Sequence, residues 1–319
     1  MAKADAEETR DGVPLTNLDQ PLFDGAGATK RDLVDYLDAV RDRIIPELAD
    51  RPLSVIRARA GQEPFMQKNL PRYAPKWVRT VPIWAEASKR EVAYPLCNDR
   101  RTLLWFANQR AVEYHPTLVR VDQTDHPTYL VLDLDPPAPE AFGMAVRAAQ
   151  LVRKALTDSG LEGTAKTSGA KGLHVFVPLA DGVTIQDAAA ATRAIAMRAE
   201  RLDPGVATTA YMKENRDGKV FVDSTRVAWA TVAAAYSPRA RPGVPVSFPV
   251  AWEDLEDVAP ADFTVRSAVA LLADGDPWRE RMPRPQRLPD DLVAEGHEIP
   301  IARVQAMHEG KRRARTRGK

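Results

Sequence analysis

Residues 128–137 read TYLVLDLDPP, and their side chains alternate. On an extended strand Leu130, Leu132 and Leu134 share one face, while Tyr129, Val131, Asp133 and Asp135 share the other. Two carboxylates therefore point the same way, from Cα atoms roughly 7 Å apart. Pro136 and Pro137 cannot continue a ladder, so both acids stand at a strand end. Residues 138–158 repeat their apolar positions at helical spacing and are closed by Gly160; residues 174–179 form an apolar strand. Strand, helix and strand together predict a β-α-β-like unit. The alanine-rich stretch Ile185–Leu202 predicts a further helix.

Earlier in the chain, Thr29 followed by Asp32 has capping-box spacing. The stripe Leu33, Val34, Tyr36, Leu37, Val40, Ile44 and Ile45 predicts a helix over 30–45, with Pro46 near its end. RPLSVIR at 51–57 predicts a strand leading to a loop with Gly61, Phe65, Met66, Gln67 and Lys68 at its far side. A short helix is expected over 101–109, then a strand over 111–116, AVEYHP, ending near His115. Residues 206–212 and 219–222 predict a hairpin across the loop KENRDG, which carries Arg216. Residues 224–235 fit strand and helix equally. Trp252, Leu255 and a helix over 263–272 are expected to close the core. The pattern divides the chain into a disordered start over 1–12, a domain over 13–283, and a proline-containing linker with a basic tail over 284–319.

Composition narrows the class. At 319 residues with 44% hydrophobic content the chain can bury a sizeable core. No run reaches the roughly 18 apolar residues of a membrane span, and the N-terminal stretch lacks an apolar signal segment. A soluble cytoplasmic protein is expected. A net charge of +1 speaks against indiscriminate coating of nucleic acid. The charge is uneven, however: Lys311, Arg312, Arg313, Arg315, Arg317 and Lys319 gather at the end. Cys97 is the single cysteine, without zinc-type neighbours, and is expected to be a small buried residue.

Asp-x-Asp before proline can be a plain strand-ending turn. Two further segments bear on it. TSGAKGLHV at 167–175 is a glycine-punctuated turn with hydroxyls, Lys171 and His174, and KVFVD at 219–223 ends in Asp223. Three acids beside a Gly-Lys loop point to a metal and triphosphate site. Arg239 and Arg241 alternate on one face of an extended YSPRARPG, a guanidinium pair suited to phosphates. A glycosyltransferase, which also uses Asp-x-Asp to hold a metal and a nucleotide diphosphate, fits part of this pattern. Against the further alternative, a non-catalytic gap-binding module that recruits a ligase, stands the intact set of three acids.

LTNLDQPLF, RPLSVIR, PFMQKN, LLWFANQRAVEYHP, YLVLDLDPP, SGAKGLHV, KVFVD and YSPRARPGVPVS follow one another from Leu15 to about Pro283. In that order they resemble the primase-polymerases of the archaeo-eukaryotic primase superfamily, and more narrowly the polymerase domain of bacterial ligase D and its stand-alone relatives. The resemblance implies an α/β (α+β) fold of two packed lobes with the acids in the cleft. It implies a polymerase that extends DNA-templated primers and fills short gaps in repair, including non-homologous end joining. Asp133, Asp135 and Asp223 would be its metal triad, holding two magnesium or manganese ions. His115, Ser168, Lys171, Gly172 and His174 would line the nucleotide pocket. Arg239 and Arg241 would contact the triphosphate, and Arg226 corresponds to a polar residue three after the third acid. Arg216 would lie on a mobile loop that engages primer and template, Lys30 would bind a downstream 5′-phosphate, and Phe65 and Met66 would meet the templating base. A second 5′-phosphate lysine of ligase D is Gln20 here. The implied partners are primer-template or gapped DNA, nucleoside triphosphates with ribonucleotides preferred, a separate ATP-dependent ligase and an end-binding protein. Ligase and phosphoesterase domains have no room in this chain, so a free-standing, monomeric polymerase at the nucleoid is expected.

Overall fold

The computed structural model describes residues 8–85, 89–272 and 275–300. It begins with a hairpin, β1 (Glu8–Arg10) and β2 (Val13–Leu15), followed by α1 (Lys30–Ala39) and α2 (Arg41–Leu48). Strands β3 (Leu53–Arg59), β4 (Gln62–Gln67), β5 (Thr80–Ala85) and β6 (Arg90–Pro95) precede α3 (Arg100–Asn108) and β7 (Ala111–Pro116). Then come β8 (Tyr129–Asp135), α4 (Phe142–Asp158), β9 (Thr164–Thr167), β10 (Leu173–Pro178) and α5 (Ile185–Leu202). Short strands β11 (Ala207–Thr208), β12 (Val220–Asp223) and β13 (Pro249–Val250) follow, then α6 (Ala268–Leu272), α7 (Pro277–Arg281) and α8 (Asp290–Glu298).

Two sheets define the two lobes. One has six strands in the order β11-β12-β8-β10-β9-β13; the other has three, β4-β3-β7. Among the described residues β5 and β6 pair only with each other, as do β1 and β2. The acidic strand β8 lies inside the larger sheet, antiparallel to both β12 and β10. Leu130, Leu132 and Leu134 on one face and Val131 on the other are all buried, and α4 and α5 pack against this strand. Residues of both lobes join one continuous apolar core, which includes Cys97. Among the described residues no helix is long and apolar enough to cross a membrane.

Several expectations need correction. The helix over 30–45 is two helices broken at Val40, whose φ of −96° and ψ of 7° leave the helical region; Pro46 lies inside the second. The Thr29–Asp32 capping box is present. Residues 8–12 are ordered in the first hairpin, and residues 1–7 lie outside the described residues. The hairpin over 206–222 is absent: β11 runs parallel to β12. Residues 224–235 form neither helix nor strand, apart from an isolated bridge between Thr231 and Thr117.

The C-terminal part also differs. The proline-rich segment is tied to the end of β10, Gln286 donating to Pro178 O at 3.0 Å and Ala180 donating to Gln286 O at 2.8 Å. α8 then packs on α5 with Leu292 fully buried; a Cβ at Gly296 would sit 2.0 Å from the carbonyl oxygen of Ala190. Residues 284–300 therefore belong to the folded body rather than to a linker. The basic residues Lys311 to Lys319 lie outside the described residues.

Candidate nucleotide and metal site

Pairing register brings the acids together. Asp223 at the end of β12 lies opposite Asp133, and His174 of β10 lies opposite Asp133 from the other side. Asp135, two residues on, completes the group on the same face of β8. Each carboxylate has a cation nearby. Arg226 Nε lies 3.5 Å from Asp133 and 3.3 Å from Asp223, and Lys171 Nζ lies 3.6 Å from Asp135. Asp223 also accepts from the backbone N–H and hydroxyl of Thr225, at 2.8 and 2.6 Å.

Burial pushes the Asp133 carboxyl up, but His174, Arg226 and Lys166 outweigh it and hold the group at about 2. Asp135 goes the other way: burial, then the charge of Asp133, raise it against the pull of Lys171. As placed, no three carboxylate, imidazole or thiol groups among the described residues converge closely enough to hold an ion. Arg226 occupies the space between two of the acids instead.

Behind Asp133 runs a buried polar chain absent from the sequence-based expectations. His174 Nε2 is 3.4 Å from Asp133, and His174 Nδ1 is 2.8 Å from the fully buried Lys166 Nζ. Ser247 Oγ gives its proton to Thr167 O at 2.7 Å, and Ala233 O can only accept. Lys166 therefore donates to both and turns its third position to His174. Burial and Lys166 push the His174 imidazole down to about 4, so the ring is neutral beside an ionised Asp133. A lysine in a four-residue strand, TAKT, gives no local sign that it is buried; pairing of Lys166 with His174 across β9 and β10 reveals it.

The turn between β9 and β10 sits on the end of β8. Ser168 Oγ accepts from the N–H groups of Ala170 and Gly172, at 3.2 and 3.1 Å. Gly169 has φ +66°, and a Cβ at Gly172 would lie 1.9 Å from Leu134 O, so both positions need glycine. Lys171 Nζ donates to Pro136 O at 2.6 Å, which fastens the turn beside Asp135.

The opposite wall comes from the smaller sheet. Glu113 and His115 alternate onto one face of β7, and the Glu113 carboxylate accepts from His115 Nε2 at 2.8 Å, Arg239 Nε at 2.8 Å and the Ala240 N–H at 2.9 Å. Arg239 Nη1 also donates to Ser168 O, so this guanidinium joins the two lobes. Glu113 was not anticipated, although Glu-x-His on an otherwise apolar strand is a readable polar pair. Arg241 does not pair with Arg239 as expected. The segment is bent rather than extended, with Arg241 N–H donating to Arg239 O at 2.9 Å, and Arg241 is exposed.

The residues expected to meet DNA are placed separately. Phe65 and Met66 lie on β4, not in a loop, and are 50% and 47% exposed; Arg57 stacks over Phe65 at 5.6 Å. Lys30 is buried, donating to Thr16 O at 2.5 Å and to Asn108 Oδ1 at 2.6 Å. It lines a cavity of about 320 Å³ with Gln20, Arg57, Arg59 and Arg110, and Arg110 donates to Gln20 Oε1 at 2.9 Å. Arg216 turns back on its own loop, bonded to Ala210 O and Tyr211 O and 3.8 Å above the Phe221 ring.

Comparison with known proteins bears on the family of the chain. A multifunctional non-homologous end joining protein LigD of Mycolicibacterium smegmatis is 34% identical over 255 residues, 78% of this chain and 33% of that protein. A bifunctional non-homologous end joining protein LigD of Bacillus subtilis is 32% identical over 283 residues, 87% of this chain and 45% of that protein. The chain thus spans less than half the length of these relatives. The solved polymerase domain of Mycobacterium tuberculosis ligase D, in complex with DNA, superposes with a TM-score of 0.76 at 32% identity, over 84% of this chain and 97% of that one. The family model described as "LigD, primase-polymerase domain" matches residues 29–278, the span that holds all three acids, the glycine turn and Arg239. On these grounds the chain belongs to the LigD primase-polymerase domain family.

Proposed function

We propose that the protein is a metal-dependent nucleotidyltransferase that extends primers on a DNA template and fills short gaps in end-joining repair, with ribonucleotides preferred. The observation that carries the reading is the opposition of Asp133 and Asp223 across β8 and β12, with Asp135 beside them and the Ser168–Gly172 turn over the strand end. An all-carboxylate donor set suits a hard divalent cation, magnesium or manganese. Asp133, Asp135 and Asp223 would hold two such ions once Arg226 and Lys171 release them. When bound, the ions would offset much of the roughly four negative charges of a nucleoside triphosphate and acidify the primer 3′-hydroxyl.

The remaining groups act as positioning elements. The attacking hydroxyl forms a bond to the α-phosphorus while the bond to pyrophosphate breaks, and such chemistry depends mainly on alignment and charge. Arg239 and Lys171 would take phosphate oxygens, and His115, His174, Gly172 and the Ser168 hydroxyl would bound the nucleotide. Arg226 is the acids' exchangeable partner, and exposed Arg241 is free to approach phosphates. Phe65 and Met66 offer an exposed apolar surface for a templating base. Arg216 would leave Phe221 to engage primer and template. Lys30 and Arg110 make their cavity cationic, as a 5′-phosphate of gapped DNA requires. The DNA in the complex of the Mycobacterium tuberculosis domain supports a DNA substrate here. A separate ATP-dependent ligase and an end-binding protein would complete the repair, with the polymerase acting as a monomer at the nucleoid.

Family membership removes the ground for a glycosyltransferase. The gap-binding alternative separates by experiment: purified protein with labelled primer-template, gapped and ungapped, each nucleotide type, and magnesium or manganese. Extension with either metal is expected. No extension under any of these conditions would overturn the proposal.

A further inference from the structure

We propose that Glu113 is a positioning residue of the nucleotide site, its carboxylate setting both the tautomer of His115 and the direction of the Arg239 guanidinium. The inference rests on the nucleotide-binding reading above. Every residue of β7 is buried, and a carboxylate in such a strand is costly unless its lone pairs are satisfied. Glu113 meets that condition with three donors: His115 Nε2 and Arg239 Nε on Oε2, and the Ala240 N–H on Oε1.

The consequence follows from donor and acceptor roles. An ionised carboxylate only accepts, so the imidazole proton must sit on His115 Nε2. Burial and the nearby Arg239 disfavour a second ring proton. His115 Nδ1 is then a bare acceptor, without a protein partner among the described residues. Arg239 spends Nε on Glu113 and one Nη1 hydrogen on Ser168 O, which leaves its second Nη1 hydrogen and both Nη2 hydrogens without a protein partner among the described residues. His115 and Arg239 bond to the same oxygen, so one carboxylate sets the ring and the guanidinium together. A ligand that carries both a hydroxyl or N–H donor and an anionic oxygen can use the acceptor and the donor they leave, and a nucleotide is such a ligand. A carboxylate that only stitched the lobes together would require neither the tautomer nor this direction.

The test begins with nitrogen NMR of the side chains of the five histidines, with His115 assigned through His115→Gln. Wild type at neutral pH should show His115 protonated at Nε2 alone, and added ATP should move the Nδ1 resonance. An Nδ1–H ring, a doubly protonated ring, or an Nδ1 resonance unmoved by bound ATP would overturn the proposal. Glu113→Gln removes the charge and one acceptor, and its KM for the incoming nucleotide should rise about fivefold to tenfold with kcat within about twofold. Loss of a negative charge beside a triphosphate would by itself lower KM. An unchanged or lower KM would therefore also overturn the proposal. Should Glu113→Gln not fold, the wild-type spectra still decide. The expected tautomer in a protein that binds no nucleoside triphosphate would sink the nucleotide-site reading itself; the wrong tautomer in a protein that binds ATP would sink the positioning role alone.

Discussion

Ser168 and Gly172 close their turn on each other: the Gly172 N–H donates to Ser168 Oγ at 3.1 Å, and the Ser168 N–H donates to Gly172 O at 2.8 Å. Since Oγ also accepts from Ala170, its own proton remains to be donated, and a ribose 2′-hydroxyl oxygen is the expected acceptor. Ser168→Ala should narrow the ribo- to deoxyribonucleotide efficiency ratio by roughly five- to tenfold, the equivalent of about 1 kcal/mol. Two backbone N–H groups lose their acceptor as well, so denaturant unfolding should show a loss of about 1–3 kcal/mol. Steady-state kinetics with each nucleotide type check the first outcome, and an unchanged ratio would place sugar discrimination elsewhere.

The acids separate catalysis from stability. Asp135 is raised by burial and by Asp133, so its charge is unfavourable in the folded state. Asp135→Ala should therefore keep or raise the melting temperature while primer extension falls about a hundredfold or more. Asp133→Ala and Asp223→Ala should also abolish extension, and DNA binding should persist in all three. Extension near the wild-type level with a normal melting curve would remove Asp135 from the site.

What the sequence revealed of this arrangement, and what it hid, follows from the range of the interactions. Asp133 and Asp135 were legible because strand alternation and the following prolines are local, and so was the Thr29–Asp32 cap. The break at Val40 carries no glycine or proline signal, and α1 and α2 both pack near α3, so tertiary contacts set it. Parallel pairing of β11 with β12 was hidden because the turn residues of KENRDG are equally compatible with a hairpin. Nothing near Lys30 in sequence signals its burial; the carbonyl and side chain that bury it come from residues 16 and 108. Lys166 and Glu113 were missed for the same reason, since their partners lie eighty or more residues away in sequence for Ser247 and Arg239.

Acid should weaken the contact between the lobes. Burial raises the Glu113 carboxyl, but the His115 hydrogen bond and the Arg239 charge carry it down to about 2, from an ordinary 4.5. A depressed carboxyl stabilises the fold above pH 4.5, and that stability is lost as pH falls toward 2. His115 is depressed below 6.5 by burial, so unfolded chains take up its proton first and stability already declines below pH 6.5. Urea midpoints measured from pH 7 to pH 3 should fall throughout. In Glu113→Gln the part below pH 4.5 should flatten; an identical slope would assign the loss to other carboxylates.

Recognition of a gap should rely on two cations from different elements. Lys30 would be one, and Arg110, hydrogen-bonded to Gln20 in the same cavity, would take the place of a lysine at position 20. Binding of one gapped duplex carrying a 5′-phosphate or a 5′-hydroxyl is the measurement. Wild type should favour the phosphate, Lys30→Ala should erase the difference, Arg110→Met should reduce it, and Gln20→Lys should enlarge it, most clearly at low salt. Lys30→Ala also strips a donor from Thr16 O and Asn108, so its melting temperature is measured alongside. Equal binding of the two duplexes by wild type would leave Lys30 a purely structural lysine.

Arg226, 40% exposed on its side chain, stands between Asp133 and Asp223 as an internal counter-ion. Uptake of a divalent ion at that place would then be an exchange of one cation for another rather than an addition, and free metal would compete with a tethered guanidinium. An incoming triphosphate would change the balance, because its oxygens would offer Arg226 a second anionic partner at the moment the carboxylates were needed. Nucleotide and metal would thus favour each other's binding without any rearrangement of the sheet, and the resting protein would keep its acids neutralised while holding few ions.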